Sequence, residues 1–419
     1  MSVSRRRFFA MAGGSAVGAA MLSPLQALYS RRAIASNPYG PLISDPDGIL
    51  DLPAGFDYVR LSETGQTMSD GYRVPGGHDG MAAFPGPNGN TILIRNHELR
   101  PAANAGVESS HGSKYDLRAK GGTTTLEVSS DRSLVRHFGS LAGTTRNCAG
   151  GPTPWNSWLS CEETFESHQG VRHGYIFEVA ASASTFATPA PLRAMGRFNH
   201  EAAAVDPRTG DVYLTEDRGD SLLYRFVPSV PGNLAQGGSL YALRIVSRPQ
   251  LNTKTGLSVG DTFSVDWVLI DEPDPNEDTV RREGFEKGAA QFSRGEGMFY
   301  GGGDVYFCCT DGGSAGLGQV WRYTPATNRL SLFVQPTSAI ELKAPDNVVV
   351  APTGDLFLCE DGRGSDGLVG VTPDGALYPF ARNRLNDSEL AGVCFSLDGE
   401  TMFVNIQTPG ITLAIKGSW

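Results

Sequence analysis

Ten residues along the chain carry groups that could do chemistry at recurring places: Asp79 and Glu98, Cys148 and Glu162, Glu201 and Glu216, Glu296 and Asp311, Asp346 and Glu360. The members of a pair stand 14 to 19 residues apart. If the fold brings equivalent positions together, nine carboxylates and a thiol meet around one axis. Like charges a few ångströms apart repel, so such a set either takes up protons or binds cations. Oxygen-rich sites suit Ca²⁺, and a thiolate among carboxylates suits a transition metal such as iron. Cys148 is therefore set apart from the other cysteines as a metal ligand, and Glu98, Glu162, Glu201, Glu216, Glu296, Asp311, Asp346 and Glu360 are the carboxylate ligands expected beside it. His78, His97 and His200 adjoin the same positions and are expected to orient ligands rather than to bind metal. Arg363 and Arg146 are candidates to grip a phosphate with two parallel hydrogen bonds.

The elements that must position these groups recur six times: a short apolar strand, a Gly/Asn/Pro turn, and a second apolar strand ending in a polar or acidic cluster. His78-Asp79-Gly80-Met81 followed by Thr91-Ile92-Leu93-Ile94 begins the series, and Leu390-Ala391-Gly392-Val393 with Thr401-Met402-Phe403-Val404 ends it. Two further strands tend to follow each pair, for example Gln319-Val320-Trp321-Arg322-Tyr323 and Leu330-Ser331-Leu332-Phe333-Val334. Four strands per repeat is the blade of a propeller, so the expectation is an all-β, six-bladed β-propeller spanning 36–419 as one domain. The last repeat is one strand short, and the spare strand Phe56–Leu61 is expected to close it, which removes exposed edges. Residues 246–292 do not fit the repeat and are expected to form an insertion. A sandwich is the alternative, though it gives no reason for acids to recur at matching places.

Bulk properties narrow the function. A formal net charge of −10 argues against a general affinity for nucleic acid, because no Lys/Arg run supplies the electrostatic footprint. Glycine, 52 of 419 residues, exceeds ordinary usage and fits many tight turns. The other five cysteines show no zinc or disulfide spacing and are expected to be buried apolar residues on strands. Ser4-Arg5-Arg6-Arg7-Phe8-Phe9, an apolar Gly/Ala-rich stretch and Ala33-Ile34-Ala35 read as a twin-arginine export signal over 1–35, cleaved before Ser36. That route carries folded proteins, so a cofactor is expected to be loaded before export. The partner implied is the twin-arginine machinery, with no permanent membrane span and a monomeric, periplasmic or secreted product.

Asn96-His97-Glu98, the run Asn147-Cys148-Ala149-Gly150-Gly151-Pro152-Thr153-Pro154-Trp155 with Cys161-Glu162-Glu163, Gly196-Arg197-Phe198-Asn199-His200-Glu201, and Glu389-Leu390-Ala391-Gly392 resemble the PhoX alkaline phosphatase family, as do the export signal and the closing Phe403–Gly410. The resemblance implies a six-bladed exported enzyme that hydrolyses phosphate esters with Ca²⁺ and an iron (Fe³⁺) pair held partly by a cysteine. It implies Cys148 as iron ligand, with Glu98, Glu201, Glu216, Glu296 and Glu360 sharing the metals. Arg363, Arg146 and Asn96 are the candidate catalytic residues. The chain is shorter than better-known members. Competing readings are a calcium-binding propeller that only binds a ligand, and a lactonase with a single central calcium.

Overall fold

The computed structural model describes residues 37–109 and 111–419; the export signal expected over 1–35 lies outside them. Strands dominate, as the short β-branched and aromatic runs between turn residues require. Six of them, His78–Pro85, Asn147–Pro152, His200–Val205, Gly295–Gly301, Pro345–Val350 and Leu390–Phe395, touch in cyclic order, the last against the first. The closed ring is propeller-like and excludes the sandwich alternative.

Each inner strand pairs antiparallel with the strand that follows it, and all six pairings slip at the same place. In the first five, register is lost between His78 and Met81, Asn147 and Gly150, His200 and Ala203, Gly295 and Met298, and Pro345 and Val348. A bulge of this kind bends the strand and re-aims a side chain. The first residue inside each is Asp79, Cys148, Glu201, Glu296 or Asp346. At the bulges the inner strands approach too closely for a side chain. A Cβ on Gly80 would lie 2.6 Å from Ala149 Cα, and one on Gly297 would lie 2.5 Å from Asp346 O.

The outer strands depart from six separate four-stranded blades. Among the described residues there are five sheets of three or more strands and one two-stranded ribbon. The second unit has three strands. The third and fourth merge into a nine-stranded sheet, because Thr262–Leu269 pairs with Gly238–Ile245 on one side and Arg329–Val334 on the other. That bridging strand, with the helix Val280–Glu286, comes from the 246–292 stretch. The fifth gains two N-terminal strands, Leu50–Pro53 and Leu42–Ile43. In the sixth, Asp57–Glu63 pairs antiparallel with Ile411–Lys416, so the N-terminal strand completes the sheet formed by the C-terminus.

The core fills the wedges between sheets, as in the packing of Phe292, Phe307 and Trp321. All six cysteines are free and buried. Among the described residues no helix is long and apolar enough to cross a membrane.

Candidate functional site

One end of the ring opens into a polar cavity of ≈ 350 Å³. Three tiers of residues line it. The bulges supply Asp79, Cys148, Glu201, Glu296 and Asp346. The positions just past the second strands supply Glu98, Glu163, Asp217, Asp361 and Gln407. Connections at the rim add Arg146, Arg294, Asp387, Ser388 and Glu389. A larger cavity, ≈ 430 Å³, sits at the opposite ends of the same strands, but Met81, Phe84, Met298, Phe299 and Phe395 make it apolar and no carboxylate, histidine or arginine lines it. The chemistry belongs to the smaller one.

Of the expected ligands, Glu98, Cys148, Glu201, Glu296 and Asp346 meet in the cavity, and Arg146 joins them. Glu162, Glu216, Glu360 and Asp311 do not. Glu162 is fully buried and turned away, accepting hydrogen bonds from the backbone N–H of Thr145 (3.0 Å) and Gly174 (2.9 Å) and from His173 Nδ1 (2.7 Å). Glu360 accepts the N–H groups of Lys343 and Gly367 at 2.9 and 3.1 Å. Glu216 accepts the Tyr224 hydroxyl at 2.7 Å, and burial pushes its carboxyl up to about 8 despite Arg281 nearby. These three fasten loops to the sheet. Their successors Glu163, Asp217 and Asp361 are the residues that enter the cavity. Asp311 sits outside it, paired with Lys254 at 2.8 Å. Arg363 is exposed and does not line it. His78, His97 and His200 bond the backbone carbonyls of Pro75, Gly76 and Gly196, and orient strand ends rather than carboxylates.

Asn96 is a positioning residue. Its amide donates to the carbonyls of Cys148 (3.1 Å) and Ala149 (2.7 Å), and its carbonyl oxygen accepts from Trp158 Nε1 and Ser160 Oγ, both at 2.8 Å. It thereby fixes the bulge that presents the thiol. Asn96→Ala strands a buried indole N–H and two buried carbonyls, so it should destabilise the fold by roughly 2–5 kcal/mol. Denaturant unfolding measures this, and a change below about 0.5 kcal/mol would remove Asn96 from that role.

Ten carboxylates face two guanidinium groups in the cavity. Burial, reinforced by neighbouring acids, raises Asp79, Glu201, Glu296 and Glu389 well above the usual carboxylate range. Glu163 rises to about 8 and Asp346 to about 7, again mainly by burial. The Cys148 thiol is raised by burial and then by Glu201. Donor atoms nevertheless converge in three groups, Cys148–Glu163–Glu201, Glu201–Glu296–Asp346 and Asp79–Glu98–Glu389, each set lying within 4.8 Å. Glu201 belongs to two of them. One group mixes sulfur with oxygen and two are all oxygen, the donor sets that suit a transition metal and hard divalent cations respectively.

Arg146 and Arg294 occupy equivalent places, one residue before an inner strand, and both adopt left-handed backbone (φ 48° and 52°). Non-glycine residues held there are uncommon, and such strain concentrates at functional sites. Arg146 Nε donates to Glu98 at 3.0 Å while its Nη2 meets Glu163. Arg294 bonds Asp217 through Nε (2.9 Å) and Glu296 through Nη2 (2.8 Å). Arg294 was legible only as the repeat counterpart of Arg146.

Comparisons with known proteins give a fold and a family. No curated protein matches the chain. The structure of Pseudomonas fluorescens PhoX in complex with vanadate, a transition-state analogue, is similar over 90% of this chain and 97% of that one, at 17% identity and a TM-score of 0.71, which shows the fold. A gluconolactonase from Xanthomonas campestris covers 91% of this chain and 99% of its own at 12% identity, but its TM-score of 0.44 carries no argument. The family model of alkaline phosphatase PhoX matches residues 37–410. The chain belongs to the alkaline phosphatase PhoX family.

Proposed function

We propose that this phosphatase hydrolyses small phosphate esters at the polar mouth of a six-bladed propeller, using calcium and ferric ions held by the cavity carboxylates and Cys148. The observation that carries the reading is the crowding of ten carboxylates and a thiol against only two arginines in one cavity, a charge imbalance that bound cations relieve. The ring of six inner strands supports the blade count. We read 36–419 as one domain, with 246–292 as an insertion that sews two blades together.

Cys148, Glu163 and Glu201 would hold iron, and Glu201, Glu296 and Asp346, with Asp79, Glu98 and Glu389, would hold calcium. When bound, the ions supply positive charge to the phosphoryl oxygens in the transition state. The chain's own contribution is positioning. Arg146 and Arg294 stand on the second and fourth repeats, either side of the strand that carries Glu201, with guanidinium groups engaged by carboxylates that cations would claim, and each would then be free to grip phosphate oxygens through paired N–H donors. Gln407 Nε2, 3.1 Å from Glu98 and 3.3 Å from Asp79, orients two carboxylates at the rim. Export by the twin-arginine route to the periplasm or beyond, as a folded monomer, fits ions loaded before crossing.

The test is phosphate release from an aryl phosphate by protein exported from its host. We expect activity that a chelator abolishes, with calcium in excess over iron by elemental analysis. Opening of an aldonolactone without any phosphate release would overturn the reading.

A further inference from the structure

A second donor cluster lies outside the cavity, on the back of the same strand end. Glu163 enters the cavity, whereas its predecessor Glu162 points the other way and holds His173. His173 is fully buried, and beside it lie His168 and Asp116, with one donor atom from each of the three within 4.8 Å of the others.

The hydrogen bonds fix which atoms face inward. His173 Nδ1 donates to Glu162 Oε1 at 2.7 Å, and His168 Nε2 lies 3.1 Å from Glu166 Oε2. Asp116 Oδ1 accepts the backbone N–H and Nε of Arg118 at 3.0 and 3.1 Å. That leaves His173 Nε2, His168 Nδ1 and Asp116 Oδ2 turned toward one point. Asp116 Oδ2 is 3.4 Å from each of the two ring nitrogens, a long hydrogen bond in the case of His173 Nε2, and His168 Nδ1 is buried with no hydrogen-bond partner.

Those separations are longer than the roughly 2.7–2.9 Å of a charge-assisted hydrogen bond. They equal the spacing around a tetrahedral ion, whose bonds of about 2.0–2.1 Å set its ligand atoms about 3.4 Å apart. The outward nitrogen of each imidazole faces a carboxylate, the arrangement that fixes the tautomer of a metal-ligating histidine. Tyr115 walls the site edge-on to His173, with ring centroids 5.4 Å apart. His168, 18% exposed in its side chain, leaves a way in.

We propose that Asp116, His168 and His173 form a separate binding site for a divalent transition metal of zinc type, which clips the ribbon Ser167–His168/Val171–Arg172 to the loop bearing Asp116. Two imidazoles and one carboxylate suit zinc or cobalt over calcium. The site is independent of the phosphatase reading, and the experiment reads metal binding rather than turnover.

Protein carrying its resident ions is titrated with Zn²⁺ and with Co²⁺, alongside His168→Ala and Asp116→Asn. His168 lies on a surface ribbon, so its variant should keep the native circular dichroism. The wild type should bind one more equivalent than either variant, with visible Co²⁺ bands of tetrahedral intensity, and with affinity at least about 100-fold tighter. Ions in the cavity are common to all three proteins and cancel. Equal stoichiometry and affinity in wild type and both variants would overturn the proposal, and would make His173 an imidazolium bracketed by Glu162 and Asp116.

Discussion

Glu201→Gln should lower the rate of phosphate release by on the order of 10³-fold and reduce the calcium and iron content together. Glu201 is the one carboxylate shared by the sulfur-containing group and an all-oxygen group, so under the proposed ligation its loss would weaken two ion sites rather than one. It sits in the bulge of its strand, 3% exposed, next to a carbonyl 3.7 Å from Cys148 Sγ. An amide of the same shape keeps the packing and removes the charge, which separates ligation from folding. Glu162→Gln is the comparison. That side chain is equally buried but faces the backbone of the neighbouring loop, so its loss should lower stability while the cavity ions and the rate stay within about twofold of wild type. If the Glu162 variant lost ions and rate while the Glu201 variant kept both, the placement of the centre would be wrong.

That comparison also marks where the sequence stops being informative. Recurrence of the repeat placed the inner strands correctly, and with them Asp79, Cys148, Glu201, Glu296 and Asp346, because an acid or thiol one residue into an inner strand falls in the bulge each time. It erred at the doublets Glu162-Glu163, Glu216-Asp217 and Glu360-Asp361. Successive residues of a strand face opposite ways, so a slip of one moves the chosen side chain to the wrong face. The second strands end at the first acid of each doublet, and the next residue turns into the cavity. Glu98, preceded by a histidine rather than a glutamate, offered no such ambiguity and would have set the register of the others. Asp311 stands two residues past the end of its strand, where Thr310 holds the place equivalent to Glu163, and it meets Lys254, a partner from the 246–292 stretch that no repeat pattern foretells. The same stretch explains why separate blades were expected and a nine-stranded sheet is found.

The charge imbalance makes a prediction about stability with a definite sign. In protein stripped of its ions, Glu163 rises to about 8, Asp346 to about 7, and Asp79, Glu201, Glu296 and Glu389 lie well above their unfolded values. A carboxyl raised on folding is protonated in both states below its unfolded value near 4, and there it costs nothing. As pH climbs the unfolded chain ionises first, so the stripped protein loses stability progressively until the folded groups ionise too, Asp346 near pH 7 and Glu163 near pH 8. A carboxyl displaced from about 4 to about 8 is worth on the order of 5 kcal/mol. The melting temperature of the chelated protein should therefore fall by at least about 5 °C between pH 5 and pH 8. With ions bound the sign reverses. Cations hold the same carboxylates ionised, their folded values drop below the unfolded ones, and stability is present at pH 8 and lost on acidification as protons displace the metal. Calorimetry of the two forms across this range should give curves of opposite slope that converge toward acid pH. Parallel curves would mean that the cavity acids are not the ones the ions neutralise.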